Sequence, residues 1–300
     1  MSDIPLESGR AARWSGERSR LDLVLPELGL ARSRSQAAEL ISAGVVRVDG
    51  AQAAKAGLRV AAGSTVEVTR PDLYVSRAAH KLIAGLDEFD VQVRGKLALD
   101  LGASTGGFTQ VLLERGAREV YAIDVGHGQL VAELRADTRV QVVEGCNARE
   151  LTPDTLAAVT GGTEKPQVVV ADLSFISLTL VLPAIARVAA PGADLVLLVK
   201  PQFEVGRQGV RDGIVVDPRA AASAVLEVLR VAAELGYVTR GLIPSPITGG
   251  SGNQEYVVHF GAGEPADPTE WEQRIRELTM GAAREEATEK LTTGLNGGDR

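Results

Sequence analysis

The run LALDLGASTGGFTQVLLERGAREVYAIDVGHGQL, residues 97–130, decides how the chain folds. Leu97 to Leu101 is short and apolar, with the length and character of a strand. Gly102, Gly106 and Gly107 follow, and glycines let a backbone turn sharply and approach a ligand with no Cβ in the way. A helix begins over Phe108 to Leu113 with its N-terminus toward that turn, and a second strand ends in Asp124. This order reads as a nucleotide-binding β-α-β unit. The terminal carboxylate is placed to accept hydrogen bonds from both hydroxyls of a ribose.

Glycine spacing narrows the ligand. The dinucleotide fingerprint G-x-G-x-x-G needs a glycine at Ser104, and the sequence reads G-x-x-x-G-G instead. Asp100, just before the turn, would repel a pyrophosphate but suits a cationic sulfonium ligand with an amino-acid tail. S-adenosylmethionine fits better than NAD. A glycine-rich turn in another kind of α/β domain is the competing reading of this stretch taken alone.

Three hundred residues with 45% hydrophobic content supply one large domain or two. The single cysteine, Cys146, excludes a disulfide framework, and His80, His127 and His259 are too scattered for a metal cluster. A reducing cytoplasm is the expected compartment, with no metal required. The first thirty residues hold no apolar signal core, and no run approaches the roughly 20 apolar residues of a spanning helix. Stable membrane association is therefore not expected. The net charge of −7 weighs against a phosphate-rich partner, but the charge is uneven. Nine of the ten basic residues before residue 76 are arginine, whereas residues 263–300 carry nine acidic and five basic residues. The arginine-rich N-terminal segment is permissive for RNA.

Residues 1–17 show little periodicity and are expected to form a disordered arm. Residues 18–68 read as a small α+β domain: a short helix, a second helix from about Ser35 to Ser42, a strand through Val45 to Val48, and a turn at Gly50. Arg32 and Arg34 stand at the start of the second helix, where side-chain charge and free helix N–H groups can meet phosphate together. Thr69 to Val75, TRPDLYV, is a linker, since Pro71 disfavours helix before it. Ser76 then caps a helix bearing Arg77, His80 and Lys81, with Leu82, Ile83, Leu86 and Phe89 toward a core.

Beyond the opening unit come a strand at Val140 to Val143, a helix at Pro153 to Val159, and the strand Gln167 to Ala171, which ends in Asp172. A helix over Leu178 to Ala190, a strand from Ala193 to Val199 ending in Lys200, and a helix from Pro218 to Leu235 continue the alternation. Tyr237 to Pro244 and Glu255 to Phe260 are the last strands. Their continuous apolar character implies an α/β, Rossmann-like sheet covered by helices on both faces. Residues 263–300 read as a polar, solvated tail.

Ligands of open parallel sheets bind outside the carboxyl ends of the strands, where Asp100, Asp124, Asp172 and Lys200 all fall. Lys81 and Glu255 can reach the same rim. Methyl transfer to a ribose hydroxyl needs a base for the hydroxyl proton. Lys200 can serve if neutral: a neighbouring ammonium at Lys81 favours that form, while Asp172 and Glu255 oppose it. The loop Phe203 to Asp217 is expected to close over a substrate through its glycines, with Arg207 and Arg211 offering phosphate contacts. Each member also has a plainer reading as a strand cap or a surface ion pair.

Several runs together carry a family resemblance. They are Ser76-Arg77 to Lys81-Leu82, Asp100-Leu-Gly-Ala-Ser-Thr-Gly-Gly-Phe-Thr, Asp124-Val-Gly-His-Gly-Gln-Leu, Asn147-Ala-Arg, Asp172-Leu-Ser-Phe-Ile-Ser-Leu, Lys200-Pro-Gln-Phe-Glu and Asn253-Gln-Glu-Tyr. With the N-terminal Arg20-Leu-Asp, R-S-R-S-Q-A and V-x-V-D-G motifs, they resemble the TlyA family across residues 20–262. That family joins a small RNA-binding module, first described in a ribosomal protein of the small subunit, to an FtsJ-like methyltransferase domain, here 76–262. The resemblance implies S-adenosylmethionine-dependent 2′-O-methylation of cytidine in ribosomal RNA or ribosomal subunits. It also implies a catalytic tetrad of Lys81, Asp172, Lys200 and Glu255.

By the same resemblance, Gly102, Ser104, Gly106, Asp124 and the Asn147 region would form the cofactor pocket, beside Asp100 and Gly107 from the glycine turn. Arg20, Arg32, Arg34, Arg207 and Arg211 are the candidate RNA contacts. The chain departs from the family's pattern at Ala78-Ala79, where glycines are common, and in its linker. Two rival readings accompany this one. Family members named hemolysins raise a membrane-perturbing activity, and a chain that kept the fold without the chemistry would be a non-catalytic RNA-binding or ribosome-assembly factor.

Overall fold

A computed structural model describes residues 10–42, 44–68, 74–206, 209–263 and 271–280. The chain divides into two compact units, one through residue 73 and one from Tyr74 onward.

The N-terminal unit opens with β1 (Arg10–Arg13) and β2 (Ser19–Arg20), then α1 (Leu21–Glu27) and α2 (Arg34–Ser42). Four short strands follow: β3 (Val46–Val48), β4 (Ala51–Gln52), β5 (Arg59–Val60) and β6 (Thr65–Val68). An antiparallel sheet runs in the order β1-β6-β3-β4, and β2 pairs separately with β5. Asp49 and Gly50 both have positive φ, the requirement of the two-residue turn joining β3 to β4. The S-R-S-Q run starts α2 by capping: the Ser33 hydroxyl accepts from the Gln36 N–H, and the Gln36 side chain reaches back to the Arg32 N–H. Leu21, Leu25, Ala37, Ile41, Val46 and Val66 fill the core.

The expected arm of residues 1–17 is corrected in its second half. Arg10–Arg13 is a strand paired along its length with β6, and the Trp14 ring is buried in the core with its indole N–H on the Glu17 carbonyl. Pairing with a distant edge creates order that local composition does not show.

The second unit begins with α3 (Ala79–Glu88), β7 (Leu97–Leu101), α4 (Gly107–Glu114), β8 (Glu119–Ile123) and α5 (Ala132–Arg135). Next come β9 (Val140–Val143), α6 (Pro153–Thr160), β10 (Val168–Ala171), α7 (Leu178–Val188) and β11 (Asp194–Val199). The short α8 (Pro201–Glu204), long α9 (Pro218–Glu234), β12 (Val238–Pro244), β13 (Tyr256–Gly261) and α10 (residues 271–280) complete it.

Seven strands form one sheet in the order β12-β13-β11-β10-β7-β8-β9, parallel from β11 through β9, with β13 antiparallel to both its neighbours. Both faces are buried, as the unbroken apolar runs require. Leu97, Leu99 and Leu101 of β7 pack under α7 and α9, while Ala98 faces α3 and α4. Chain order reverses between β7 and β10, so their carboxyl ends open a crevice at a topological switch point.

Three boundaries differ from the sequence reading. Residues 69–73 of the linker lie outside the described residues, and Tyr74 and Val75 belong to the second unit, packing on its core with the Val75 N–H on the Gln110 side chain at 2.9 Å. The Ser76 hydroxyl bonds the Ala78 N–H, within a turn preceding α3, instead of capping the helix itself. The tail is not wholly solvated: α10 buries Ile275 completely against the α7–α9 side of the core, with Trp271 and Leu278 beside it.

Candidate active site

Gly102 has φ +83, and a Cβ there would stand 2.7 Å from the Asp172 carbonyl oxygen. Only glycine lets the turn after β7 lie this close to the end of β10. Gly106 caps α4 in the left-handed region, and a Cβ on it would strike Leu134 and Leu130. Gly107 starts α4 against Ser76, whose Cβ would be 2.9 Å from an added methyl. Ser104 is left-handed at φ +49, and its N–H bonds Asp124 Oδ2 at 2.8 Å while Gly126 N–H bonds Asp124 Oδ1 at 2.7 Å. Asp124 thus ties the turn after β7 to the end of β8, with acceptor capacity remaining on each oxygen.

Asp100, on the face of β7 toward α4, has no solvent contact. Burial pushes its carboxyl up to about 7, opposed by the 2.6 Å hydrogen bond from Thr109 Oγ1 to Oδ2. Its Oδ1 has no hydrogen-bond partner among the described residues.

Four charged side chains converge across the crevice. Lys81 Nζ, delivered by α3, lies 2.6 Å from Glu255 Oε2 and 3.9 Å from Asp172 Oδ2. Lys200 Nζ, at the end of β11, lies 2.6 Å from Asp172 Oδ1 and donates to Ser174 Oγ at 3.0 Å. The order Lys200, Asp172, Lys81, Glu255 is one unbroken chain of contacts. All four side chains have little solvent contact, from 2% for Glu255 to 14% for Asp172. Glu255 reaches the rim because β13 is antiparallel: its beginning, Tyr256, pairs with Val199 at the end of β11.

A cavity of about 170 Å³ joins the two halves, with Ser76, Gly102, Ser104 and Gly107 on one side and Asp172, Ser174 and Lys200 on the other. A larger hollow of about 380 Å³ between α9, β12 and α10 shares no residue with the four charged groups. Convergent charge, not size, marks the site.

Asn147 stands apart from this cavity: its side chain accepts from the Arg149 N–H and caps a short 3₁₀ turn. In the N-terminal unit, Arg20 and Arg34 both grip Asp22. Arg20 does so through Nε and Nη2 at 2.9 and 3.0 Å, and Arg34 through Nε at 2.9 Å. The Arg20 hydrogen bond, aided by Arg34 and opposed by burial, holds the Asp22 carboxyl at about 2. Arg32 is exposed nearby in sequence, with its backbone N–H on the Gln36 side chain.

Arg207 lies outside the described residues. Arg211 is exposed on a small hairpin, not on an open glycine loop: Arg211 and Ile214 exchange two 2.9 Å backbone bonds around Asp212 and Gly213, both with positive φ. Asn253, nearly fully buried, pins this hairpin, its Nδ2 donating to the Gly213 carbonyl at 2.7 Å and its Oδ1 accepting from Val215 N–H at 2.9 Å. The loop expected to close over a substrate is thereby anchored at its second half.

Sequence reasoning passed over Ser174, Gln202 and Asn253. Each belongs to a run quoted for a charged neighbour, so proximity within the motif was the available signal. Gln202 Nε2 donates to Glu255 Oε1 at 3.1 Å, the Phe203 ring lies 5.2 Å from that of exposed Phe175, and Glu204 takes the Ser177 hydroxyl and the Leu178 N–H at the start of α7. Burial raises the Glu204 carboxyl above its usual range.

A model of the FtsJ-like methyltransferase family matches residues 74–262, and a model of the S4 domain matches residues 19–66. Fold and site together define a methyltransferase domain preceded by an S4 domain. The 16S/23S rRNA (cytidine-2′-O)-methyltransferase TlyA of Mycobacterium tuberculosis is 53% identical over 80% of this chain and 88% of its own length. Hemolysin A of Brachyspira hyodysenteriae is 39% identical over 80% of this chain and 99% of its own. The solved "Putative hemolysin from Streptococcus thermophilus" superposes with a TM-score of 0.68 at 36% identity, covering 91% of this chain and 98% of that one. The chain belongs to the TlyA family of FtsJ-like methyltransferases.

Proposed function

We propose that this protein transfers a methyl group to the 2′-hydroxyl of a cytidine in ribosomal RNA, acting in the cytoplasm on rRNA or ribosomal subunits. The observation that carries the reading is the contact chain Lys200–Asp172–Lys81–Glu255 bordering the same cavity as Gly102, Ser104 and Gly107. The name of the M. tuberculosis relative supplies the expected substrate.

The residues present fit S-adenosylmethionine. Gly102 and Gly107 leave room where a Cβ would collide, Asp124 offers lone pairs to a ribose, and buried Asp100 keeps one oxygen without a partner beneath the turn. Gly102, Ser104, Gly106, Gly107 and Asp124 would hold it, with the Asn147 region at the margin. When bound it supplies an activated methyl group on a sulfonium.

The protein's own task is the proton. A ribose hydroxyl is a weak nucleophile at neutral pH, and Lys200 in its neutral form takes the proton as the O–C bond forms. Asp172 lies between both ammonium groups and fixes their separation, and Lys81 adds a second positive charge beside the reacting oxygen. Glu255 orients Lys81 from the far side. Arg20, Arg32 and Arg34, with Arg207 and Arg211, are assigned to RNA phosphates.

Incubation with labelled S-adenosylmethionine and each purified ribosomal subunit, followed by nuclease digestion, tests the reading. Label should appear on the sugar of a cytidine; label on a base refutes it. The relation to Hemolysin A favours a second reading, membrane perturbation. Among the described residues no helix is long and apolar enough to cross a membrane. Dye leakage from liposomes without methylation of either subunit would establish that reading over ours.

A further inference from the structure

We infer that Gln202 is a positioning residue of the methyl-transfer site, fixing the orientation of Glu255; the inference rests on the ribose-methylation reading above. Glu255 is 2% exposed and held from three sides. Lys81 Nζ takes Oε2 at 2.6 Å, and Gln202 Nε2 donates to Oε1 at 3.1 Å. The backbone of Gly249 closes the third side so tightly that a Cβ there would stand 2.5 Å from Oε1 and 3.4 Å from Gln202 Nε2. A carboxylate in this slot cannot turn away from Lys81 without losing the amide bond and meeting Gly249.

The Gln202 amide is itself oriented at a cost. Its Oε1 is buried with no hydrogen-bond partner among the described residues, and an unsatisfied buried oxygen is destabilising. Turning the amide over would aim that oxygen at a carboxylate, acceptor against acceptor. The bond from Nε2 to Glu255 Oε1 therefore fixes which way the amide faces.

Gln202 sits in a single helical turn that serves the whole site. Lys200 before it meets Asp172 and Ser174, Phe203 meets Phe175, and Glu204 holds the start of α7. Through Gln202 this turn reaches Glu255, 53 residues away. One rigid segment thus sets the base and, through Glu255, the placement of Lys81.

The test compares Gln202→Leu and Gln202→Glu with wild type, measuring kcat, KM for the ribosomal subunit and the pH dependence of methyl transfer. Gln202→Leu should lower kcat by about tenfold while leaving KM near wild type, because the contact it removes is made to Glu255 within the site. Gln202→Glu sets a second carboxylate against Glu255 and should move the ascending limb of the pH–rate profile to higher pH by about one unit, since added negative charge favours the ammonium forms of Lys81 and Lys200.

Both variants matching wild type in kcat and profile would overturn the assignment. An equal loss in both variants with no displaced limb would reduce Gln202 to packing and overturn it as well. If Gln202→Glu fails to fold, Gln202→Leu decides through the split between kcat and KM. A wild-type protein that labels a base, or nothing, refutes the reading of function instead, so the two failures are distinguishable.

Discussion

In the N-terminal unit the carboxylate of Asp22 takes Arg20 and Arg34, each at 2.9 Å; in the methyltransferase unit Asp172 takes Lys200 at 2.6 Å and Lys81 at 3.9 Å. Both are nearly buried acids between two cations, yet the cations differ in kind. A guanidinium stays charged at any pH a protein meets, so the first centre can only present fixed charge and hydrogen-bond donors. A lysine can give up its proton when its surroundings favour it, so the second can exchange one with a substrate. Exposure follows the same division. Arg20 and Arg34 are 40% and 60% exposed, open to a phosphate, whereas Lys81 and Lys200 are 7% and 9% exposed, screened from water.

The comparison breaks most plainly at Lys200. Lys200→Arg keeps the charge and removes the proposed base, and methyl transfer should fall by roughly 10²–10⁴-fold with an unchanged circular dichroism spectrum. Activity within tenfold of wild type would erase the distinction between the two centres.

Acid sensitivity separates buried carboxylates of opposite sign. Asp22 is held at about 2, below its ordinary 3.8, so its stabilising contribution is complete above about pH 4 and is lost as pH falls through 2. Asp100 is pushed up to about 7, so its contribution is complete below about pH 4 and is lost as pH rises through 7. Asp100→Asn should flatten that slope and raise stability at pH 8 relative to pH 4 by at most ~4 kcal/mol. Urea unfolding across this range checks it, and a wild-type curve without the slope contradicts a neutral buried Asp100.

A smaller effect follows from removing each acid. Asp172→Ala leaves two screened ammonium groups short of their shared partner and should cost about 3 kcal/mol in unfolding free energy. Asp22→Ala should cost less, since its arginines are already in water. Equal midpoints in urea would show that exposure does not separate the two sites. Smallest of all, Arg34→Gln should weaken binding to ribosomal RNA several-fold, by roughly 3–10 times, and reduce the slope of log K against log salt by about one. Filter binding over a salt series measures both, and an unchanged slope removes Arg34 from the phosphate contacts.

The parallel strands were legible because a strand buried on both faces must be apolar throughout, as in Leu97 to Leu101 and Val168 to Ala171. Their carboxyl ends then placed Asp172 and Lys200 by topology alone. Asn253 and Gln202 stayed hidden because what they hold lies far away in sequence: Gly213 and Val215 for one, Glu255 for the other. The strand Arg10–Arg13 reads as polar because its order comes from pairing with β6, not from its own side chains. In α10 the stripe Trp271, Ile275 and Leu278 was present at helical spacing but diluted by the charges between them.

The placement of β13 also governs when the enzyme comes into being during synthesis. Among the described residues this strand is the last to join the sheet, and it enters between β11 and β12, each of which pairs with it. A nascent chain stopped before Glu255 has neither that carboxylate nor the strand that ties β12 to the parallel core. Domains emerge from the ribosome N-terminal end first, at about 5–20 residues per second. The S4 domain is therefore complete well before the candidate site, and a truncated product carries an S4 domain with no finished site behind it.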